Sequence, residues 1–262
     1  MKISNAGMKA GFALFLCLFL LLPGCARREK ITSLDQLADK TFAVVTGTVA
    51  DQLVLSRFPK ARLTYYNSAL DACLAVKNGR ADAAGYDEPI LKNIAAKQPG
   101  LVVLPERVTT DQYGFAVRQD DPRLKEAIDS VVVDLKKSGA YDAMVQRWLP
   151  RSGSPEPMPR VDSSGGQGTL RFGTAAVTEP FAFVDGSGNV VGLDVELASY
   201  VAKKTNRKLE VVNMDFGALI PALIAGKVDM IGACITITGE RAKRVLFSEP
   251  YYTGGISALV RE

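Results

Sequence analysis

The stretch ITITGERAKRVLFSEPYY, residues 235–252, is the most informative part of the sequence. Thr238 is a good N-cap, and it predicts a helix whose first turn contains Arg241. A cation there opposes the positive end of the helix dipole, at a cost of about 0.3–1 kcal/mol. Either the neighbouring Glu240 offsets this cost, or Arg241 projects from the helix start toward an anionic ligand and holds it by paired hydrogen bonds.

The length and composition suit a protein with two modest lobes. The chain has 262 residues, of which 47% are hydrophobic and 23% are charged, so it can bury a substantial core. The net charge of +4 is small and basic residues are interspersed with acidic ones, so we predict no nucleic-acid partner. Histidine is absent, which excludes Ser-His-Asp and Cys-His catalysis and histidine metal sites. We predict no metal and no cofactor.

The first residues have the pattern of an export signal. Lys2 and Lys9 precede an apolar run at 12–22, which is too short to span a membrane. LLPGC follows and resembles a bacterial lipobox, so we expect a lipoprotein signal peptide at 1–24, a lipid on Cys25 and a tether at 25–30. An ordinary signal peptide that contains a cysteine is the alternative.

Two segments share one pattern. NSALDACLAVKNGRADAAGYD, residues 67–87, and FGALIPALIAGKVDMIGA, residues 216–233, each contain a helix that opens on Ala-Leu. In each, a glycine turn ends the helix, and a strand begins at Asp82 or Asp229. A helix-to-strand unit used twice is expected of two similar α/β lobes.

Other patterns predict a helix at 34–38 and strands at 41–45, 113–118 and 230–235. Cys73 and Cys234 fall in different predicted lobes. Because the lobes must move, we predict two free thiols rather than a disulfide.

The chain resembles the family 3 extracellular solute-binding proteins, which are the polar amino acid receptors of ABC importers. The motifs that carry the resemblance lie at 235–255, at 169–233 (GTAAVTEPFAF and GALIPALIAGKVDMIGA) and at 31–150 (SLDQLADKTFAVVTGT, NGRADAAGYDEP and GAYDAMVQRWL). The resemblance implies a two-lobed α/β periplasmic binding protein of type II, the Venus-flytrap architecture, that closes on its ligand by hinge motion.

The halves of this family stand in reversed order here. Residues 31–112 resemble the family's second half, called lobe 2. Residues 168–262 resemble its first half, called lobe 1, and 113–150 is expected to pack on lobe 1. The segment 151–167 is rich in Pro, Ser and Gly and is predicted to be a linker. We interpret the chain as a circular permutant, with one interlobe crossing near 107–113 and the other assembled from the chain ends. A piece of a tandem array and a dimer that exchanges halves are the alternatives.

The resemblance also implies a site for a free amino acid. The α-carboxylate is assigned to Arg241, to backbone N–H near Thr236 and to Thr48, which follows a strand at a helix start. The α-ammonium is assigned to Asp87 and to the carbonyl of Cys234. Phe216 matches the aromatic that covers the ligand side chain. Each has a structural alternative: a helix cap for Thr48 and Asp87, and core packing for Phe216. Glu88 is expected to be a solvated residue at a helix start.

Selectivity is expected to come from small or apolar positions, which favour a neutral amino acid. These are Ala175, Thr178, Tyr86, Val45 and Val49, with Glu179 as the one charge nearby.

The leading functional hypothesis is a lipid-anchored receptor in the periplasm or at the cell surface that presents an amino acid to an ABC permease. An enzyme similar to cyclohexadienyl dehydratases, with a carboxylate from Glu88, Asp87 or Glu179, is an alternative. A sensory module without transport is another.

Overall fold

The computed structural model describes residues 30–149, 157–162 and 165–262. Cys25, the predicted signal peptide and nearly all of the predicted tether lie outside these ranges. Residues Ile31–Glu262 form one compact unit. Among the described residues, no helix combines the length and apolar character needed to cross a membrane. The described parts of the predicted linker contain neither helix nor strand.

The chain alternates strands and helices, which confirms the predicted α/β class. The strands are β1 Thr41–Val45, β2 Arg62–Tyr66, β3 Ala83–Asp87, β4 Leu101–Arg107, β5 Asp111–Tyr113, β6 Ala116–Val117, β7 Thr169–Thr174, β8 Val177–Thr178, β9 Ala182–Val184, β10 Val190–Val191, β11 Lys208–Asn213, β12 Met230–Ile231, β13 Leu246–Phe247, β14 Tyr252–Gly254 and β15 Ile256–Arg261. The helices are α1 Ala50–Arg57, α2 Ala69–Lys77, α3 Glu88–Lys97, α4 Pro122–Ser138, α5 Ala140–Trp148, α6 Leu193–Lys204, α7 Leu219–Ile224 and α8 Gly239–Ala242, with 3-10 turns at Leu34–Leu37 and Phe216–Ala218.

The sheet of lobe 2 has the strand order β2-β1-β3-β15-β4. β1, β2 and β3 are parallel, and β15 is antiparallel to β3 and β4. Phe42 and Val44 of β1 belong to an apolar cluster with α1, whereas Ala43 and Val45 belong to a cluster with α2 and α3. The side chains of a strand alternate between its faces, and helices cover both faces here, so this strand is almost continuously buried.

The sheet of lobe 1 has the strand order β11-β7-β12-β6-β13. β7, β11 and β12 are parallel, and β6 is antiparallel to β12 and β13. Although β6 and α4 precede the linker in sequence, β6 is a member of this sheet and α4 packs against α6. Lobe 1 is therefore built from segments on both sides of the linker.

Two antiparallel strands, β5 and β14, connect the lobes. β5 leads from β4 in lobe 2 to β6 in lobe 1, and β14 leads from β13 in lobe 1 to β15 in lobe 2. Tyr113 pairs with Tyr252, and Asp111 pairs with Gly254. Both crossings are continuous, so the expectation that one crossing is assembled from the chain ends is wrong. The apolar run in β15 forms a buried sheet strand instead of a frayed end.

The ends of the described unit both lie in lobe 2: Ile31 packs against the apolar cluster of Phe42 and Val44, and β15 is the last strand. β15 starts opposite Asp87 and finishes beside Leu101. The backbone N–H of Glu262 donates to the carbonyl of Gly100 over 3.2 Å. Ile256–Arg261, which was expected in lobe 1, therefore belongs to the sheet of lobe 2.

Candidate functional site

A pocket lies between the lobes, at the carboxyl ends of β1 and β3, which is where open α/β sheets bind ligands. The residues that line it from lobe 2 are Thr48, Val49, Ala50, Tyr86, Asp87 and Ile256. Those from lobe 1 are Phe216, Cys234, Thr236 and Arg241. Seven of the eight predicted ligand-binding residues thus meet in one pocket, and Thr178 is not among the lining residues.

Arg241 projects from the first turn of α8 into this pocket. Thr238 caps the helix, because its hydroxyl accepts from the Arg241 N–H over 3.2 Å. The guanidinium donates through Nη1 to the Thr236 carbonyl over 2.9 Å and lies 5.5 Å from the ring centroid of Phe216. Burial lowers the pKa of Arg241, and the nearby Asp87 opposes that shift. Glu240 does not offset the cation at the helix start, because it is exposed and pairs with Lys243.

Asp87 is the last residue of β3 and is only 7% exposed. It occupies the N-cap position of α3, but its side chain makes no capping hydrogen bond, so the capping alternative is wrong. Its Oδ1 accepts instead from the hydroxyl of Tyr113. Burial raises the pKa of Asp87 to about 7; Asp111 adds to the rise, while Tyr113 and Arg241 oppose it. A carboxylate that is buried in this way can pair with a cationic group.

Glu88 is buried, so the expectation of a solvated residue is wrong. Its carboxylate pairs with Lys92 of the same helix over 2.5 Å and with Arg107 at the end of β4. Burial alone would raise its pKa, but the two cations outweigh burial and hold the pKa below the ordinary value. Glu88 therefore joins α3 to the end of β4 and is not a lining residue of the pocket.

Thr236 and Cys234 supply backbone to the pocket wall. Gly114 N–H donates to Ile235, and Ile237 N–H donates to Gln112. Thr236 is therefore the non-hydrogen-bonded partner of Tyr113 in this ladder, and its N–H and C=O point away from β5. The Thr236 carbonyl accepts the hydrogen bond from Nη1 of Arg241.

Cys234 has a backbone φ of +46°, a left-handed conformation that favours glycine, and its N–H donates to Asp194 over 2.9 Å. β12 ends at Ile231, before Cys234, because this turn interrupts the predicted strand. Burial raises the pKa of the Cys234 thiol. Cys73 and Cys234 are both free, as predicted.

Of the other predicted positions, some line the pocket and others are buried outside its lining. Thr48 bonds locally before α1: its hydroxyl donates to the Val45 carbonyl over 2.8 Å and accepts from Ala50 N–H over 3.2 Å. Val49 and Tyr86 line the pocket. Thr178 is buried, and its hydroxyl is occupied by the Ala175 carbonyl at 3.0 Å. Ala175, Thr178 and Val45 are buried outside the lining set.

Sequence reasoning missed four residues at or behind the pocket: Ile256, Ala50, Tyr113 and Asp194. Ile256 lines the pocket because β15 lies beside β3 and starts opposite Asp87. Asp194 lies behind the pocket, is fully buried and bonds the backbone of Cys234. The contacts of Ile256, Tyr113 and Asp194 join residues far apart in sequence, and no local pattern signals them.

The lobes also touch outside the pocket. Lys97 at the end of α3 places its Nζ 2.6 Å from both carboxylate oxygens of Glu179, which follows β8. Gly47 closely approaches Gly217, and a Cβ on Gly47 would lie 3.3 Å from the Gly217 Cα. Glu179 therefore pairs across the cleft and is not one of the residues that line the pocket.

The sequence of lobe 1 matches a known family. Residues 170–262 fit the pattern of "Bacterial extracellular solute-binding proteins, family 3". The matched segment is about a third of the chain. Five of the pocket residues, including Arg241 and Phe216, lie in this segment. The family predicted from the sequence motifs is therefore confirmed for residues 170–262.

Relatives of this chain carry names of amino acid binding proteins. The "Arginine-binding extracellular protein ArtP" of Bacillus subtilis (strain 168) is 46% identical over 91 residues, which are 35% of this chain and 35% of the relative. The "Putative ABC transporter arginine-binding protein 2" of Escherichia coli (strain K12) is 28% identical over 128 residues, 47% of this chain and 53% of the relative. The chain thus spans between about a third and about half of these relatives.

Among solved structures, the arginine-bound form of domain 1 from TmArgBP is 40% identical over 36% of this chain and 80% of that chain. Its TM-score of 0.32 is too low to support a conclusion about the overall fold.

Proposed function

We propose that the chain is an extracytoplasmic receptor that captures a free amino acid between its lobes and presents it to an ABC importer. One observation carries this proposal: Arg241 of lobe 1 and Asp87 of lobe 2 line the same pocket. A free amino acid has an anionic and a cationic group at a fixed separation. A pocket with one cation and one anion on opposite walls complements both groups only when the lobes are together.

The two charged residues suit their partners. A guanidinium can hold a carboxylate with two parallel hydrogen bonds, and Nη1 of Arg241 is already oriented by the Thr236 carbonyl. Asp87 is withdrawn from water, so an ammonium group gives it the charge-assisted hydrogen bonds that solvent does not. Ligand binding should therefore lower the pKa of Asp87 from about 7.

We propose a neutral ligand. Arg241 and Asp87 are the charged residues in the lining, and the two ends of the amino acid engage both. Glu179, which could otherwise attract a cationic side chain, is paired with Lys97. The names of the relatives report arginine binding for those proteins. For this chain, the remaining Val49, Phe216 and Ile256 favour an uncharged side chain.

We further propose a circularly permuted type II, Venus-flytrap architecture, in which residues 151–167 join the ends that the family leaves free. Both crossings are continuous and both ends of the described unit lie in lobe 2, so a link from residue 262 to residue 31 would restore the family order. A monomeric molar mass from light scattering would support this proposal. A dimer would favour the exchange of halves between two chains.

The lipid anchor on Cys25 and attachment at the periplasmic or cell-surface side of a membrane also stay proposals. They depend on the lipobox-like LLPGC and on the extracellular description of the family. Replacement of Cys25 with serine should release the protein from the membrane fraction. Unchanged membrane association of the variant would contradict the anchor.

A thermal-stability screen against the twenty free amino acids tests the receptor proposal. A ligand that binds only the folded protein raises its melting temperature by mass action, with about 2.7 kcal/mol gained at a hundredfold excess over Kd. We expect neutral amino acids to give the largest shifts. Shifts from lysine, arginine or glutamate alone would contradict the neutral preference, and no shift from any of them would contradict the receptor.

An enzyme similar to cyclohexadienyl dehydratases is the second candidate. The observation in its favour is Asp87, a pocket carboxylate with a pKa of about 7, as a general acid or base would have. Glu88 and Glu179 are held in ion pairs and do not line the pocket. Incubation with prephenate or arogenate, followed by ultraviolet absorbance, tests this candidate; turnover would displace the receptor proposal.

The ion pair between Lys97 and Glu179 predicts a modest effect on affinity. Both side chains are partly exposed, so the pair is worth about 0.2–1 kcal/mol, and we expect Lys97→Glu to weaken binding about 1.5- to 5-fold. The pair joins the two lobes and lies outside the lining of the pocket. The reversed pair Lys97→Glu/Glu179→Lys should recover affinity in calorimetric titrations. A double variant as weak as the sum of its single variants would show that the pair does not stabilise closure.

A further inference from the structure

One tyrosine connects the pocket carboxylate to both crossings. Tyr113 lies on β5, is fully buried, and its hydroxyl donates to Oδ1 of Asp87. The same hydroxyl accepts from the N–H of Gly255 over 3.1 Å, directly after β14. The hydroxyl oxygen of Tyr113, on the first crossing, is therefore hydrogen-bonded both to the end of β3 and to the residue that follows the second crossing.

The two glycines that follow Thr253 make room for this hydroxyl. A Cβ on Gly254 would overlap the phenol of Tyr113, so only glycine fits beside the ring. Gly255 has a φ of +146°, a conformation that side chains rarely adopt, and a Cβ there would overlap the Thr109 carbonyl. The sequence YYTGG thus keeps β14 close enough for the Gly255 N–H to reach Tyr113.

The ring of Tyr113 is fixed by two aromatic neighbours. It stacks on Tyr252, with centroids 5.8 Å apart and an interplanar angle of 24°. Phe181 contacts it edge-on at 5.9 Å and 75°. Because the ring cannot swing away, its hydroxyl presents one fixed donor to Asp87.

We propose that Tyr113 is a positioning residue of the ligand site, which holds Asp87 in the orientation and charge state that bind an ammonium group. The inference rests on the proposed receptor function. It adds a residue outside the pocket lining that controls ligand affinity through Asp87. It also links the occupied state of the site to the two strands that connect the lobes.

The electrostatics around Asp87 support this role. Burial is the main cause of its raised pKa, and Asp111 on β5 adds to the rise. The Tyr113 hydrogen bond and the Arg241 charge oppose it. Cys234 and Tyr86 also face the carboxylate, and Asp87 raises the pKa of each. Without the Tyr113 hydroxyl, the pKa of Asp87 should rise further, and fewer molecules would carry the carboxylate at neutral pH.

The test compares Tyr113→Phe with the matched control Tyr252→Phe, which removes a hydroxyl from the ring stacked on Tyr113. The first readout needs no ligand: carbon-13 NMR follows the Asp87 carboxyl from about pH 4 to about pH 9 in the full chain. We expect a higher titration midpoint in Tyr113→Phe and the wild-type midpoint in Tyr252→Phe. An unchanged midpoint in Tyr113→Phe would overturn the inference.

The second readout is the pH profile of binding, with L-leucine and L-glutamine as neutral probes. Below the midpoint, wild-type affinity should fall about tenfold per pH unit, because only the carboxylate form binds. In Tyr113→Phe the fall should begin at higher pH. A loss of affinity that is equal at every pH would indicate a merely structural role and overturn the inference.

Two further outcomes separate the inference from the function on which it rests. If wild type binds neither probe and no other free amino acid, the receptor proposal fails, while a raised midpoint in Tyr113→Phe still supports control of Asp87 by Tyr113. If Tyr113→Phe does not fold, 3-fluorotyrosine at position 113 replaces it. This stronger donor should lower the Asp87 midpoint, and no change would overturn the inference.

Discussion

Replacement of Arg241 with glutamine is expected to weaken amino acid binding about 100-fold or more. Loss of one partner of a buried charge pair costs about 2–5 kcal/mol, and 2.7 kcal/mol corresponds to a factor of about 100. The loss should be large because the guanidinium is the cation of the pocket lining and is oriented by the Thr236 carbonyl and by the ring of Phe216. Calorimetric titration with L-leucine and L-glutamine measures the effect.

Two further variants serve as comparisons for Arg241→Gln. Arg244→Gln removes an exposed arginine three residues further along and should leave affinity unchanged. Arg241→Lys keeps the charge but loses the forked geometry, so it should recover only part of the affinity. Wild-type affinity in Arg241→Gln would show that the ligand carboxylate lies elsewhere.

Replacement of Asp87 with asparagine is expected to weaken binding about 30-fold or more and to remove most of its pH dependence near neutrality. Asparagine keeps nearly the same shape and can still accept from the Tyr113 hydroxyl. Affinity should fall because an amide carries no charge to compensate the ammonium group. Titrations across the pH range show whether both effects occur together.

The same variant should behave differently without ligand. The pKa of Asp87 is raised from 3.8 to about 7 on folding, so its protonated form stabilises the folded protein at low pH. That contribution is lost as the pH rises from about 4 through about 7. Unliganded Asp87→Asn should therefore gain in free energy of unfolding relative to wild type over this range, whereas the exposed Asp39→Asn should not. An equal difference at all pH values would contradict the raised pKa.

The sequence predicted the local elements well where a pattern was complete. β1 has the predicted bounds, because the apolar TFAVV is followed by a glycine turn. The Thr238 cap also forms as predicted, although α8 ends at Ala242, and β13 begins soon afterwards at Leu246. The predicted helix at 34–38 is a 3-10 turn at Leu34–Leu37. The bounds of short elements are set by the caps and turns beside them, and their lengths depend on where the next element begins.

The crossings were harder to predict. The expected strand at 113–118 is divided into β5 and β6 around Gly114, where a Cβ would press on the side chain of Ile237. The contact of Tyr113 with Asp87 joins residues 26 apart, and that of Asp194 with Cys234 joins residues 40 apart. Such contacts arise from the meeting of lobes and crossings, so periodicity and capping rules give no signal for them. The pocket residues near family motifs were predictable, but the residues that support them were not.

The most direct test of the central claim is a set of calorimetric titrations with altered ligands and the wild-type protein. Each amino acid that shifts the melting temperature would be compared with its carboxamide and with its des-amino acid. If Arg241 and Asp87 hold the two ends of a zwitterion, loss of either charged end should weaken binding about 100-fold or more. Equal affinity for the amino acid and for both analogues would contradict the account.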